Sequence, residues 1–168
     1  MILNLSNLPL HDSVKVEFDL YILGTWDGNN GPDIWKYAID NSNLITTTFS
    51  NHISSGHPSF YQSYPDNFQT NNPAQTGAYQ TFSWAASLYK LSDIAGHISN
   101  QLIVELSDIL HPGGGDENWA IDNVQIYLYS NNIVNNTLWS TGDTTASITV
   151  NPSQTTTYWV TENGCTDS

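Results

Sequence analysis

The sequence has no arginine and only three lysines, Lys15, Lys36 and Lys90, against sixteen acids, for a formal charge of −13. That balance excludes a surface able to hold the phosphate backbone of nucleic acid or an anionic membrane, and it suits divalent cations and neutral ligands. Cysteine occurs once, as Cys165, so there is no disulfide framework and no compartment to be read from one. No run approaches the roughly eighteen apolar residues of a membrane span, and no signal peptide opens the chain. Met1 leads almost directly into Ile2-Leu3-Asn4-Leu5, already strand-like. The expectation is a fragment without its targeting sequence, although a cytosolic protein would look the same. Amphipathic helical periodicity is also lacking throughout.

What the chain does have is uncharged polarity. Asn, Ser and Thr supply 54 of its 168 residues, a composition that favours strands and turns. Aromatic residues at 12% supply the core-forming groups that a disordered chain would lack. The length suffices for one well-buried core with a small appendage.

The clearest periodicity lies at residues 13–23, where Val14, Val16, Phe18, Leu20 and Ile22 alternate with Lys15, Glu17, Asp19 and Tyr21 as in a half-buried strand. Trp35 to Asp40 and Leu44 to Phe49 read as a strand pair, the second rich in β-branched threonine. Residues 50–77 form a long stretch of turn formers, of a length that is often functional. Regular pattern resumes at Ala78 to Leu91, at Leu102 to Leu106, and from Trp119 to Tyr129. Short strands separated by turn signals predict an all-β antiparallel sandwich. Composition shifts after Ser130, dividing the chain into a sandwich of residues 1–130 and a β tail of residues 131–168. The tail offers three short strands, Thr137 to Ser140, Ala146 to Val150 and Thr155 to Thr161. It is too small for a comfortable core of its own.

Two loops carry the candidate chemistry. Trp26-Asp27-Gly28-Asn29-Asn30-Gly31-Pro32-Asp33-Ile34-Trp35 packs carboxylates and carboxamides into turn-forming backbone, and Gly113-Gly114-Gly115-Asp116-Glu117-Asn118 is a second acid-rich turn. Calcium takes six to eight oxygens from such groups. Simple alternation with Ala120, Val124, Ile126 and Leu128 points Asp122 inward, where a carboxylate needs a cation or a set of donors. Asp27, Asp116, Glu117 and Asp122 are therefore candidate ligands of a structural calcium ion, with Asn29, Asp33 and Asp19 as further ones. Solvated turn caps are the alternative. The EF-hand pattern is absent, and five scattered histidines make a poor zinc site. Paired carboxylates such as Asp116 and Asp122 could in principle perform glycoside hydrolysis, but no nucleophile motif or phosphate-binding loop is present. The reading is non-catalytic. Trp26, Phe60, Tyr61 and Tyr64 are candidates for stacking on sugar rings, or else plug the sandwich ends.

The series Val16-Glu-Phe18-Asp-Leu20-Tyr-Ile22, Trp26-Asp27-Gly28-Asn29, Gly31-Pro32-Asp33-Ile34-Trp35, Thr48-Phe49-Ser50-Asn51, Gln62-Ser63-Tyr64-Pro65, Gly77-Ala78 and Asp116-Glu117-Asn118-Trp119-Ala-Ile121-Asp122-Asn123-Val124 resembles a secreted bacterial jelly-roll module. That module is related in style to concanavalin A-like and MAM domains. Its ending is similar to G-D-E-S-W-G-L-D-N-V, from which Asn118 and Ala120 depart. The resemblance implies a jelly roll, and such folds often hold calcium near the acidic ending. The segment from Leu138 to Val150, with Thr155-Thr156-Thr157-Tyr158 and Asn163-Gly164-Cys165, is similar to part of an immunoglobulin-like repeat of Bacteroidota surface proteins exported by the type IX route. It implies adhesion at the cell surface, with Cys165 lacking its upstream partner. Asp12-Ser13-Val14 and Asp143-Thr144-Thr145 are similar to that phylum's O-glycosylation sites.

Together these readings predict a calcium-stabilised extracellular module of a larger surface protein that binds a glycan or another surface ligand. The alternatives are a structural subunit of a surface polymer, whose tail exchanges strands with neighbouring copies, and a glycan-active enzyme. Neither nucleic acid nor membrane insertion is expected.

Overall fold

The computed structural model describes residues 1–30, 32–51, 60–82, 86–109, 117–130, 137–162 and 165–167. The chain divides into two compact units, Met1–Ser130 and Asn131–Ser168. The first is all-β, with strands β1 (Ile2–Ser6), β2 (Ser13–Leu23), β3 (Ile34–Ile39), β4 (Ser42–Thr48), β5 (Gln80–Thr81), β6 (Ala86–Gly96), β7 (Gln101–Ile109) and β8 (Asn118–Tyr129). They form two antiparallel four-stranded sheets, ordered β1-β7-β3-β4 and β5-β6-β2-β8, packed as a sandwich.

The alternation of β2 decides which sheet face is core. Val14, Val16, Phe18, Leu20 and Ile22 are buried, leaving Lys15, Glu17, Asp19 and Tyr21 on the outer face. Across the interior, Phe18 meets Tyr37 edge-on at 5.4 Å, and Trp35 meets Phe49 at 5.9 Å and Trp119 at 6.3 Å. Phe49, Tyr64 and Tyr89 complete the aromatic cluster with ring separations of 4.6–5.0 Å. Truncating one such ring to alanine costs about 3–5 kcal/mol, so this cluster is the main source of cohesion between the sheets. Asp40 and Asn41 join β3 to β4 with φ of +48° and +64°. Two left-handed residues in succession give the hairpin turn whose twist matches the strands, and Asp and Asn tolerate it.

One strand departs from simple alternation. Between Glu17↔Gln125 and Asp19↔Asp122, β8 holds one more residue than β2, and Asn123 adopts φ +52°. This β-bulge reverses the parity of the strand. Trp119 and Ile121 pack inward before it and Ile126 and Leu128 after it, while Asp122 is exposed. The expectation that Asp122 faces the core is therefore overturned: it shares the inward phase of Ile126 and Leu128 only if no residue is inserted between them.

Much of the stretch from Ser50 to Gly77, expected to be irregular, is a polar core. The buried Gln62 side chain accepts from the backbone N–H of Ser50 (3.1 Å) and Gln75 (2.9 Å) and donates to the carbonyls of Tyr64 and Thr76, both at 2.9 Å. Its backbone exchanges paired hydrogen bonds with Asn72 at 2.8 Å. Asn51, equally buried, donates to the carbonyls of Ile22 and Gly24 and accepts from Ser87 Oγ at 2.6 Å. Amide side chains here replace the ladder that irregular backbone lacks, as burial of that backbone requires.

At the opposite end of β2, His11 Nε2 and His97 Nδ1 are hydrogen-bonded at 2.5 Å. The ring planes lie within 13° of parallel, with centroids 4.8 Å apart. Such a separation at so short an N···N distance means that the imidazoles meet edge to edge rather than face to face. His11 Nδ1 donates to the Pro9 carbonyl, and His97 Nε2 lies 3.0 Å from the Gln101 carbonyl and 2.9 Å from Asp40. The pair ties three connections together.

The second unit has a small sheet of three short strands, β9 (Thr137–Trp139), β10 (Val160–Glu162) and β11 (Cys165–Asp167), with β10 central. Residues 146–150, expected as a strand, pair with nothing among the described residues, and of residues 155–161 only the last two belong to β10. The Ala146/Ile148/Val150 alternation supplies a face but no neighbour, and a strand needs both.

Candidate functional site

The outer face of the β5-β6-β2-β8 sheet gathers most of the chain's few lysines, two of the three. Lys90 Nζ meets Asp19 Oδ1 at 2.8 Å and lies 4.8 Å from the centre of the Tyr79 ring. Lys15 Nζ meets Glu17 Oε1 at 2.6 Å and lies 5.7 Å from the centre of the Tyr127 ring. The bulge in β8 turns Asn123 onto this face, where its Nδ2 donates to Asp19 Oδ2 at 2.8 Å. Both oxygens of Asp19 are thus engaged, which leaves it 7% exposed on a solvent-facing surface. Ser92 donates to Glu17, and the Tyr127 hydroxyl donates to Gln125.

Between the two ion pairs lies a depression of about 320 Å³ lined by Glu17, Asp19, Lys90, Ser92, Asn123 and Gln125. The Lys90 and Asn123 hydrogen bonds hold the Asp19 carboxyl below its usual range, and the Lys15 and Ser92 bonds do the same for Glu17. Lys15 and Lys90 are correspondingly raised by the bonds to their carboxylates. Two lysines against Glu17, Asp19 and Asp122 leave this face close to neutral on a strongly acidic protein. Ile94, Tyr127 and Tyr129, all more than a third exposed, continue the face past the depression. Charged and amide groups thus sit beside aromatic and apolar ones on one rigid sheet.

The predicted metal ligands fall into two groups. Asp19 and Asp122 are cross-strand neighbours on the outer face. Asp27 and Asp33 belong to the loop beyond β2, where Asp33 Oδ2 accepts from the Asp27 backbone N–H at 3.2 Å and Asp33 is 1% exposed. Glu117, half-buried, directly precedes Asn118, whose carbonyl accepts from Trp26 Nε1 at 3.0 Å, and so lies at the same end as Asp27. Four residues of strand separate Asp19 from Leu23 at that end, about 13 Å, so one ion cannot serve both groups. Asp116 lies outside the described residues. Among the described residues no three His, Cys, Asp or Glu side chains are grouped closely enough to hold a metal.

Asn29 serves as a latch. Its Oδ1 accepts from Thr48 and Ser63 at 2.6 and 2.9 Å, and its Nδ2 donates to the Thr70 carbonyl and Asn71 at 2.6 and 2.9 Å. No capacity remains for a cation. Beside it, Gly28 has φ +64°, and a Cβ there would lie 2.2 Å from the Tyr61 carbonyl oxygen.

The predicted stacking rings also separate. Trp26 is wholly buried, donating to the Leu23 and Asn118 carbonyls and packing edge-on against Phe49. Tyr64 belongs to the core aromatic cluster. Phe60 is half-buried, and Tyr61 is the most exposed of the four.

The outer-face residues Lys90, Asn123, Gln125 and Tyr127 were not among the predicted site residues. A signal for them is present in β8: the apolar phase set by Trp119 and Ile121 is offset by one from that of Ile126 and Leu128. That offset marks an inserted residue between them. What the fold defines is an all-β chain with two packed antiparallel four-stranded sheets. No protein-family model, curated protein or solved structure matches it.

Proposed function

We propose that residues 1–130 form a non-catalytic, extracellular adhesion or carbohydrate-binding module of jelly-roll type, part of a larger cell-surface protein, with the outer face of the β5-β6-β2-β8 sheet as its binding surface. The near-neutral platform carries this reading. Asp19, Lys90, Asn123 and Gln125 offer fixed donors and acceptors, while Tyr79 and Tyr127 flank them. Sugar hydroxyls pair with such groups as donors and acceptors at once, and the C–H faces of a pyranose pack against aromatic rings. A neutral ligand also avoids the repulsion that the protein's −13 charge imposes on anions. The non-catalytic reading is supported by the same charges: a glycosidase acid needs a raised carboxyl, and Glu17 and Asp19 are both held low.

Calcium remains part of the proposal, now confined to the end of the sandwich near Asp27 and Asp33. Backbone carbonyls would complete the oxygen set there, because no three acids among the described residues are grouped closely enough to do so. The burial of Asp33 in a turn-forming, oxygen-rich loop supports a cation there. In this reading the ion stabilises the loop that seats the Asn29 latch. The test is a glycan array probed in calcium and again in chelator, with Lys90→Ala and Asn123→Ala alongside. Binding lost in both variants supports the platform; binding that survives both rejects it. Chelation is expected to lower the melting temperature, and an unchanged one would remove calcium from the account.

A second reading, a structural subunit exchanging strands with neighbouring copies, is favoured by the second unit. Its Leu138, Val150 and Trp159 are exposed, and residues 147–150 belong to no strand among the described residues. Size-exclusion chromatography separates the readings, because a monomer across concentrations rejects strand exchange.

A further inference from the structure

The gap between the two sheets opens on one side of the sandwich, where β4 is the edge of one sheet and β6, beyond its short pairing with β5, is the edge of the other. The turn at Tyr64–Asn67 closes this gap from one end. It is fastened to β4 by the Tyr64 N–H to the Thr48 carbonyl at 3.1 Å and the Phe68 N–H to the Thr46 carbonyl at 2.9 Å. The result is a cleft of about 400 Å³ whose walls include Leu44, Ile45, Tyr64, Pro65, Asp66 and Asp93.

Asp93 is the unusual member. On β6 it follows the inward phase of Tyr89 and Leu91, so its carboxylate is directed between the sheets and is half-buried. No hydrogen bond or ion pair reaches it from the described residues, and burial alone pushes its carboxyl up. Lys90, three residues away on the cleft lining, cannot help, because its ammonium is held on the opposite face by Asp19. Across the gap, the wholly buried Tyr37 hydroxyl on β3 also has no hydrogen-bond partner among the described residues. Burial raises that phenol, and the charge of Asp93 adds to the rise. The Tyr64 hydroxyl is raised by the same two causes. A half-buried carboxylate turned inward without a counter-ion is costly unless something occupies the cleft.

We infer that this cleft is a binding site for an alkylammonium group, with Asp93 as the counter-ion, Asp66 adding negative charge, the Tyr64 ring as an aromatic wall and Leu44, Ile45 and Pro65 receiving the alkyl stem. An ammonium brings several donors and a full charge, and it pairs with a desolvated carboxylate far better than in water. An aromatic face adds cation–π attraction. This protein supplies almost no cation of its own, so the ammonium must come from elsewhere: a lysine side chain of a partner protein or a free amine.

The experiment is an NMR titration of the full chain with hexylammonium chloride, with a capped lysine-containing peptide and with neutral hexanol. The expected result is shift changes at Leu44, Tyr64 and Asp93 with the ammonium, and at least a tenfold weaker effect with hexanol. The peptide arm separates the sources: peptide binding at the same residues points to a partner's lysine, and response to the free amine alone points to a small molecule. Asp93→Asn should abolish the ammonium response while preserving the fold, since it removes an uncompensated charge. If that variant does not fold, the pH dependence of the wild-type protein decides, because binding must weaken as Asp93 is protonated. Equal binding of hexanol, binding unchanged in Asp93→Asn, pH-independent binding, or no binding of either amine would each overturn the assignment.

Discussion

Replacing Gln62 with alanine tests whether the stretch from Ser50 to Gly77 is held by its buried amides. The side chain is wholly buried, and its truncation withdraws a partner from two backbone donors, those of Ser50 and Gln75, and from two acceptors, the carbonyls of Tyr64 and Thr76. The Gln75 N–H keeps its 3.0 Å contact with the Ser50 carbonyl, which softens one of these losses. A water entering the vacated space can recover others. Taking the low end of about 1 kcal/mol for each of the four groups, the cost is about 4 kcal/mol, a large part of a typical domain's stability. With a urea m-value of about 2 kcal/mol/M, the unfolding midpoint should fall by about 2 M. Urea titration followed by tryptophan fluorescence reads this directly, because Trp26 and Trp35 are both buried. Gln62→Glu separates hydrogen bonding from cavity formation: it keeps the volume but turns an acceptor toward the Tyr64 and Thr76 carbonyls, and should destabilise comparably. A midpoint shift below about 0.5 M for Gln62→Ala would refute the view that this amide organises the loop.

Three further outcomes follow from the same structure. Gly28→Ala combines a left-handed backbone with a Cβ 2.2 Å from the Tyr61 oxygen, and should cost about 2 kcal/mol or more in chemical denaturation; a neutral result would mean that the loop can shift. His97→Ala removes the partner of the buried His11 and should cost about 1–3 kcal/mol by thermal unfolding, with His97→Gln recovering part of it. Carboxyl titration has two signs here. Asp19 is depressed in the folded state, so its contribution is present above its unfolded value near 3.8 and is lost as pH falls through the folded value. Asp93 is raised, so the unfolded chain releases its proton first, and stability falls as pH rises from that value through the folded one. Asp93→Asn should therefore stabilise the protein at pH 7, by about 1 kcal/mol given its partial exposure. That advantage should vanish below the unfolded value; a gain independent of pH would show that charge is not its cause.

The sandwich was legible because its signals are local. Period-two alternation in β2 and the turn formers between strands each act over a few residues. The site was less legible, because it depends on register. Asp122 was assigned to the core by carrying one phase through a strand that contains a bulge, and Asn123, which causes that bulge, looks like any other Asn in a chain with 19 of them. Trp26, Tyr64 and Asn29 looked like ligand groups because they lie in loops, but in the fold they fill the core end and latch two loops together. Whether an exposed-looking amide or ring is turned inward is set by partners distant in the chain, such as Asn118 for Trp26 and Ser63 for Asn29. Asp93 is hidden for the opposite reason: it sits on a regular strand, where the pattern shows its inward phase with Tyr89 and Leu91 but not its lack of a counter-ion among the described residues.

The most direct test of the binding face is an amide-resolved NMR titration of the full chain with an oligosaccharide that scores on the glycan array. The account predicts shift changes concentrated on Glu17, Asp19, Lys90, Asn123 and Gln125, with the ring signals of Tyr79 and Tyr127 responding together. Changes confined to Phe60, Tyr61 and the loop around them, or no array hit from a folded sample, would contradict it.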